Sequence, residues 1–183
     1  MDHADAEQKD RVRHALDRLQ GPLLRYAMRI TGNLDQARDV VQDTFLQLCT
    51  EDLSELREHL DAWLYTVCRN RALDILRKEN RMNSLAQTPA DPLDNWDDKM
   101  VANLETAEAV SDVLRILARL PHNQQEVIRL KFQNDLSYRE ISQVTGLSIS
   151  NVGFLIHTGL KTIRHEMAAQ QASETKQSLR RVK

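Results

Sequence analysis

Turn-forming residues are scarce in this 183-residue sequence, which holds five glycines and four prolines, less than half the share of an average globular chain. A β-sandwich or barrel needs a turn signal roughly every 8–12 residues, so that class is excluded and the chain reads as mostly helix. Cysteine is nearly absent. Cys49 and Cys68 are the two present. They have no cysteine or histidine partners at metal-ligand spacing, which excludes a disulfide scaffold and a zinc site and points to a reducing compartment. No apolar run approaches the roughly 20 residues needed to span a bilayer. The segment 1–10 is acidic without an apolar core, so no signal peptide or membrane insertion is expected, and the cytoplasm is the expected location. Excess positive charge is missing too. The net charge is −2 and the isoelectric point about 6.3, so any nucleic-acid contact has to come from local patches. Hydrophobic residues at 41% and charged residues at 28% fit a folded chain.

Apolar spacing supplies the layout. Gly21-Pro22 opens the first strong helical pattern, Leu23, Leu24, Ala27, Met28 and Ile30, and Gly32-Asn33 closes it in the manner of a C-cap. Asp35 starts a second pattern through Val40, Val41, Phe45 and Leu48. A third runs through Leu60, Leu64, Val67, Cys68, Ala72, Ile75 and Leu76, with Trp63 read as core alongside it rather than as a platform for stacked bases. The stretch 82–105 then loses the pattern and carries net charge −4 and two prolines, as a solvated linker does. Beyond it, Val110, Val113, Leu114, Leu117 and Leu120 give one helix face. Pro121 suits the first turn of the next helix, with Val127, Ile128 and Leu130. The resulting expectation is an all-α chain of two small helical domains joined by an acidic linker: an extension over 1–12, a first domain over 13–84, the linker over 85–106, a second domain over 107–169 and a polar, basic-ended tail over 170–183. The tail is read as disordered beyond Ala172.

Two shorter helices in the second domain meet at Thr145-Gly146-Leu147. Ser137 to Glu140 has the form of a capping box. Ile141 and Val144 face inward, Gly146 supplies a positive φ for the turn, and Ser148 or Ser150 caps the next helix, whose inner face is Ile149, Val152, Leu155 and Ile156. Small Ser142 stands where two helices must approach closely. Cap, small residue, glycine and apolar positions together describe a DNA-binding helix-turn-helix, whose second helix enters the major groove. The plain alternative is a helical hairpin without a ligand. Outward from that second helix the sequence places Gly153, Phe154, His157 and Thr158, then Lys161 and Arg164. Gly153 and Gly159 together weaken the helix by roughly 2 kcal/mol, which close backbone approach to DNA or a partner would offset. With so few cations here, arginine reading of guanine edges looks thin.

The first domain carries a second candidate face. Residues 69–81 have net charge +3, and Asn70, Asp74, Arg77 and Arg81 recur at helical spacing on one face able to hold phosphates and bases. The preceding helix is acidic, with Asp35, Asp39 and Asp43 at every fourth position. Like charges so placed destabilise an isolated helix, and a basic partner surface would relieve them. A solvated charged face is the alternative for both. No nucleophile–base pair, metal cluster or glycine-rich phosphate loop can be assembled, so neither a catalytic site nor a cofactor is expected.

These residues resemble the extracytoplasmic-function sigma factors of bacterial RNA polymerase. In the first domain the marks are Tyr26 to Asn33, then Asp35, Ala37, Asp39 and Val41 to Phe45, then Ala62 to Tyr65, Arg69-Asn70, Asp74 and Arg77, as in sigma region two. In the second they are Leu120-Pro121, Ser137 to Ile141 and Ser150 to Val152, as in sigma region four. The resemblance implies that Asp35, Asp39, Gln42 and Asp43 bind the β′ clamp helices of polymerase core. It implies that Asn70, Arg71, Asp74, Arg77, Lys78 and Arg81 capture the minus-ten element as a melted strand. Ser150, Asn151, Gly153, Phe154, His157, Thr158 and Lys161 would meet the minus-thirty-five element, with the second domain on the β flap. Such a protein is a promoter-specificity subunit and not an enzyme. Inhibitory anti-sigma factors are common in the family, though no residue here identifies one. The family places Arg or Lys at several outer positions of the second helix where this chain has Gly153, Phe154, Leu155 and Thr158, which implies more backbone, shape and apolar contact. The rival readings are a free-standing helix-turn-helix regulator, which would bind its promoter tightly without polymerase, and a helical adaptor that binds no DNA.

Overall fold

The computed structural model describes the backbone over residues 2–51, 56, 59–83 and 112–181, and side chains from residue 8 to 170 within those ranges, Asn80, Met82 and Asn83 excepted. The predicted acidic linker, with Ala107 and Val110, lies outside the described residues. Seven helices make up the described structure: α1 (Asp2–Thr31), α2 (Leu34–Leu48), α3 (Leu60–Asn83), α4 (Asp112–Leu117), α5 (His122–Phe132), α6 (Tyr138–Thr145) and α7 (Ile149–Arg181). No strand occurs among these residues.

Helix α1 does not begin at Gly21-Pro22. It begins at Asp2 and carries Pro22 in its interior, so residues 2–12 are helical and continuous with it. The apolar stripe explains this, because Val12, Ala15, Leu16, Leu19 and Leu23 continue the helical spacing back across the proline. Leu19 and Leu23 are buried, each contributing about 1.5–3 kcal/mol, which offsets the ~3 kcal/mol cost of an interior proline. The other end is as expected. Gly32 has φ +66°, and its N–H donates to the Met28 carbonyl at 2.9 Å. Asn33 then caps α2, its side-chain oxygen accepting from the Asp35 and Gln36 N–H groups.

Helices α1, α2 and α3 bury one another through Leu23, Ala27, Val40, Leu48, Leu64, Cys68 and Ala72. Trp63 packs half-buried against this core, as its spacing indicated. Arg18 forks onto Asp61 with 2.6 Å to each carboxylate oxygen, fixing α1 to the start of α3. Cys49 and Cys68 are free thiols, and burial pushes the Cys68 thiol up to about 12.

The second domain follows the predicted plan with three differences. In α4 the buried residues are Ile116 and Leu117, while Val113, expected inside, is exposed. At the start of α7, Ile149 is 52% exposed, because Leu147 in the turn takes the place against the core. The backbone of α7 stays helical through Arg181 where a disordered tail was expected. After Gly159 the sequence has no glycine or proline and is rich in Ala, Gln, Glu, Lys and Arg, which favour helix.

Candidate nucleic-acid interface

The helix-turn-helix is built by local chemistry. Ser137 caps α6 and accepts from the Glu140 N–H, while the Glu140 carboxylate accepts from the Ser137 N–H at 2.7 Å. Gly146 sits at φ +75°, and its N–H donates to the Ser142 carbonyl. The Ser142 hydroxyl donates across the turn to the Leu147 carbonyl at 2.6 Å, which is why a small polar residue suits that position. Of the two candidate caps for α7 it is Ser148 that acts, its hydroxyl accepting from the Asn151 N–H at 3.2 Å. Val152 and Ile156 are buried.

The outer face of α7 is narrower than expected. Ser150, Asn151, Phe154, His157 and Lys161 are exposed. Gly153 and Thr158 are half-buried at its edges: a Cβ on Gly153 would stand 3.6 Å from the Tyr138 ring, and the Thr158 hydroxyl donates to the Phe154 carbonyl at 2.8 Å. Leu155 packs on the core. Gly159 does not face outward at all. It is buried where α7 crosses α5, and a Cβ there would come within 2.5 Å of Ile128 Cδ1. Its absent side chain serves close packing inside the domain, not approach to DNA.

On α3, Asn70, Asp74, Arg77, Lys78 and Arg81 are all exposed. Arg77 pairs with Asp74 at 2.9 Å on the surface, an interaction worth about 0–1 kcal/mol. Arg71 stands apart from this row. It turns to α2, donating to Asp43 at 3.0 Å and to Gln47 at 3.3 Å. On α2 itself Asp35, Asp39, Gln42 and Asp43 are all exposed, with Asp35 paired to Arg38. Beside them an apolar groove of about 540 Å³ opens between α1 and α2, lined in part by Leu16, Leu24, Phe45 and Leu46. Leu46 is 58% exposed. Sequence reasoning passed it over, although its place four residues after Gln42 on an otherwise acidic face was a signal.

The two domains meet directly. Glu126 of α5, 3% exposed, accepts from the Tyr26 hydroxyl of α1 at 2.6 Å and from Arg69 of α3 at 2.9 and 3.4 Å. The Tyr26 and Tyr65 rings meet edge to face with centroids 5.2 Å apart. The Tyr65 hydroxyl accepts in turn from Asn134, in the turn before α6. Burial, then the Glu126 charge, pushes the Tyr26 hydroxyl well above the usual tyrosine range. Burial opposes the Arg69 charge, but the Glu126 charge and hydrogen bond more than offset it and raise the guanidinium pKa. Nothing in the spacing of the sequence paired these residues. Glu126 lies in 125–130, a run that the structure buries at every position.

The described residues hold no group of three or more side chains able to bind a metal, and none of their helices is long and apolar enough to cross a membrane. Residues 15–82 match the family of sigma-70 region 2, and residues 111–163 match that of sigma-70 region 4. Among curated proteins the chain is 29% identical over 157 residues to the ECF RNA polymerase sigma factor SigL of Mycobacterium tuberculosis, covering 84% of this chain and 86% of that one. It is 27% identical over 163 residues to the RNA polymerase sigma factor YlaC of Bacillus subtilis, covering 83% and 89%. Its fold is similar to that of the sigma factor RpoE from Bartonella quintana, solved in complex with the anti-sigma factor NepR, with a TM-score of 0.60, 22% identity, and coverage of 85% of this chain and 96% of that one. Two sigma regions in the family's order, each folded with its polar helix face open to solvent, place this chain among the extracytoplasmic-function sigma factors, which bind RNA polymerase core and promoter DNA to start transcription.

Proposed function

We propose that the two domains divide promoter recognition between α3 and α7. The exposed row Asn70, Asp74, Arg77, Lys78 and Arg81 takes the minus-ten element as a melted strand, and the face Ser150, Asn151, Phe154, His157 and Lys161 takes the minus-thirty-five duplex. Asp35, Asp39 and Gln42 dock on the clamp helices of polymerase, with Leu46 and the neighbouring groove adding apolar contact. Asp43 joins them once Arg71 releases it. Gly153 and Thr158 border the upstream contact, and Arg71 links the polymerase face to the DNA face. The chain carries no chemistry of its own in this reading and works in the cytoplasm beside the polymerase. The solved relative is held by an anti-sigma factor, and an inhibitor of that kind fits this chain too.

The observation that supports this most is that α3 and α7 both keep polar rows in solvent while their reverse faces build the core. Geometry adds a requirement. The two promoter elements lie about 25 base pairs apart, roughly 85 Å of duplex at about 3.4 Å per pair. A compact chain of this length has a radius of gyration of roughly 16 Å and cannot reach both. The Glu126 contact must therefore part on the promoter. Residues 84–111 join the domains, and stretched fully at about 3.4 Å each they reach roughly 95 Å, enough for the span.

Run-off transcription with purified core polymerase and a promoter-fragment library is the test. The chain should redirect core to new start sites, and Asp39→Arg should weaken its capture by core. Start sites that stay those of core alone would reject the reading. Tight binding to promoter DNA without polymerase, in a gel shift at physiological salt, would favour a free-standing regulator instead.

A further inference from the structure

We infer that Phe154 reads thymine 5-methyl groups in the upstream promoter element, so that α7 selects sequence by apolar contact at the centre of its DNA face. The inference rests on the reading that α7 enters the major groove, and it goes beyond that reading by naming what is recognised.

At about 100° per residue, Ser150, Phe154, His157 and Lys161 fall at i, i+4, i+7 and i+11 and form one narrow stripe. All four are exposed. Phe154 occupies the stripe's middle and is 63% exposed. It belongs neither to the buried core nor to the hydrophobics packed on it, so the fold gives no reason for a large aromatic there. Of the six large exposed hydrophobics among the described residues, Tyr138, Ile149 and Phe154 are on the helix-turn-helix, and of these three Phe154 alone stands on the stripe: Ile149 lies about 140° away around the helix, and Tyr138 is on α6 beside Gly153. A scatter of single apolar residues needs no explanation, whereas a large ring at the centre of an otherwise polar stripe does.

Base edges in the major groove offer hydrogen-bond donors and acceptors and a single apolar group, the thymine methyl. A phenyl ring at the centre of the stripe can gain only from that group. Within the stripe the fixed cation is Lys161, at the far end, where it suits a phosphate rather than a base. The expected target is therefore an upstream element with an A·T pair at one or two central positions.

The test starts from promoter duplexes obtained by run-off transcription with full-length chain, purified core polymerase and a library randomised across the upstream element. Each thymine in the selected element is then replaced, one at a time, by deoxyuridine, which lacks only the methyl. At limiting holoenzyme, one or two replacements should lower initiation about fourfold, the effect of losing one buried methyl. Phe154→Ala should lower initiation on the thymine duplex by a similar factor and should no longer distinguish thymine from uracil. Lys161→Ala should weaken both duplexes equally and keep the discrimination. Because Phe154 is exposed, an unchanged thermal melt will show that the alanine variant is folded.

If no replacement has an effect, if the selected element holds no A·T pair, or if Phe154→Ala discriminates as the parent does, thymine reading is wrong while the sigma function stands. A loss on Phe154→Ala that is equal for thymine and uracil, in a parent that ignores the methyl, would assign the residue to a protein contact. A chain that directs core to no fragment of the library would overturn both readings.

Discussion

Helices α3 and α7 each keep one face in the protein and one in solvent, but by opposite means. The outer row of α3 is ionic, with Arg77, Lys78 and Arg81 around Asp74. One side of that helix is held to the other domain through polar groups, Arg69 on the buried Glu126 and Tyr65 with Asn134. The outer row of α7 centres on an aromatic ring, and its reverse is held within its own domain by close packing at Gly159. The difference separates two kinds of attachment. An ion pair buried between domains is strong while dry and can be exchanged for water or a charged partner when the domains part. A glycine crossing fixes a helix against its own domain permanently. In the proposed promoter-bound state, the helix that changes neighbours is the one with the exchangeable attachment.

The largest expected effect comes from removing Glu126. Glu126→Ala leaves the Arg69 guanidinium and the Tyr26 hydroxyl facing a dry interface without their acceptor. Breaking one side of a buried pair costs about 3–5 kcal/mol. The chain has an outlet, because the domains can separate and let water solvate Arg69. Small-angle scattering should show a larger radius of gyration than the parent's, and the thermal melt should resolve into two transitions. An unchanged radius with a single transition would mean that packing between α3 and α6 holds the closed form by itself.

What the sequence disclosed follows the range of the physics involved. Local rules were legible. The Ser137 capping box, the left-handed Gly146, Gly32 at the end of α1 and the buried stripes of α2 and α3 all depend on residues a few positions apart. So was the row Asn70, Asp74, Arg77 and Arg81, because helical spacing alone puts those side chains on one face. The misreadings arose where distant residues decide. Pro22 looked like a helix start until Ala15 and Leu19 were seen buried against the other helices. Gly159 looked like Gly153, yet one meets Ile128 of α5 and the other stands beside Tyr138. The direction of the Arg71 guanidinium, toward Asp43 and Gln47 of α2, likewise depends on another helix. The Glu126 contact joins residues 57 and 100 positions apart, beyond the reach of any periodicity.

The two glycines of α7 give the next effects, opposite in sign. Gly159→Ala gains about 1 kcal/mol of helix propensity. It also drives a methyl group to within 2.5 Å of Ile128 Cδ1 in a packed core, and overpacking of that kind costs about 1–3 kcal/mol. The expected outcome is a net loss of up to about 2 kcal/mol in urea denaturation, with the midpoint lowered. Gly153→Ala meets the Tyr138 ring at an ordinary 3.6 Å and should keep the propensity gain of up to about 1 kcal/mol. Its effect on upstream DNA is the informative part. Binding retained in the stabilised variant would mean that Gly153 accommodates Tyr138, whereas binding lost would mean that bare backbone at Gly153 approaches the duplex.

The smallest effect separates the two outer rows most cleanly, because salt acts on charge and not on methyl contacts. Each phosphate neutralised on a single strand contributes about 0.7 to the slope of log affinity against log salt. If Arg77 exchanges Asp74 for one phosphate of the minus-ten strand, Arg77→Ala should flatten that slope by about this amount. Over a fourfold rise in salt the parent would then lose about 2.5-fold more affinity than the variant. Phe154→Ala should weaken upstream binding at every salt concentration and leave the slope where it was, since a phenyl ring displaces no counterions. Holoenzyme titrations on fluorescent promoter duplexes at several salt concentrations measure both slopes. Equal slopes for Arg77→Ala and the parent would remove Arg77 from the phosphate contacts, and a flattened slope for Phe154→Ala would mean that the whole of α7, Lys161 included, had shifted on the duplex.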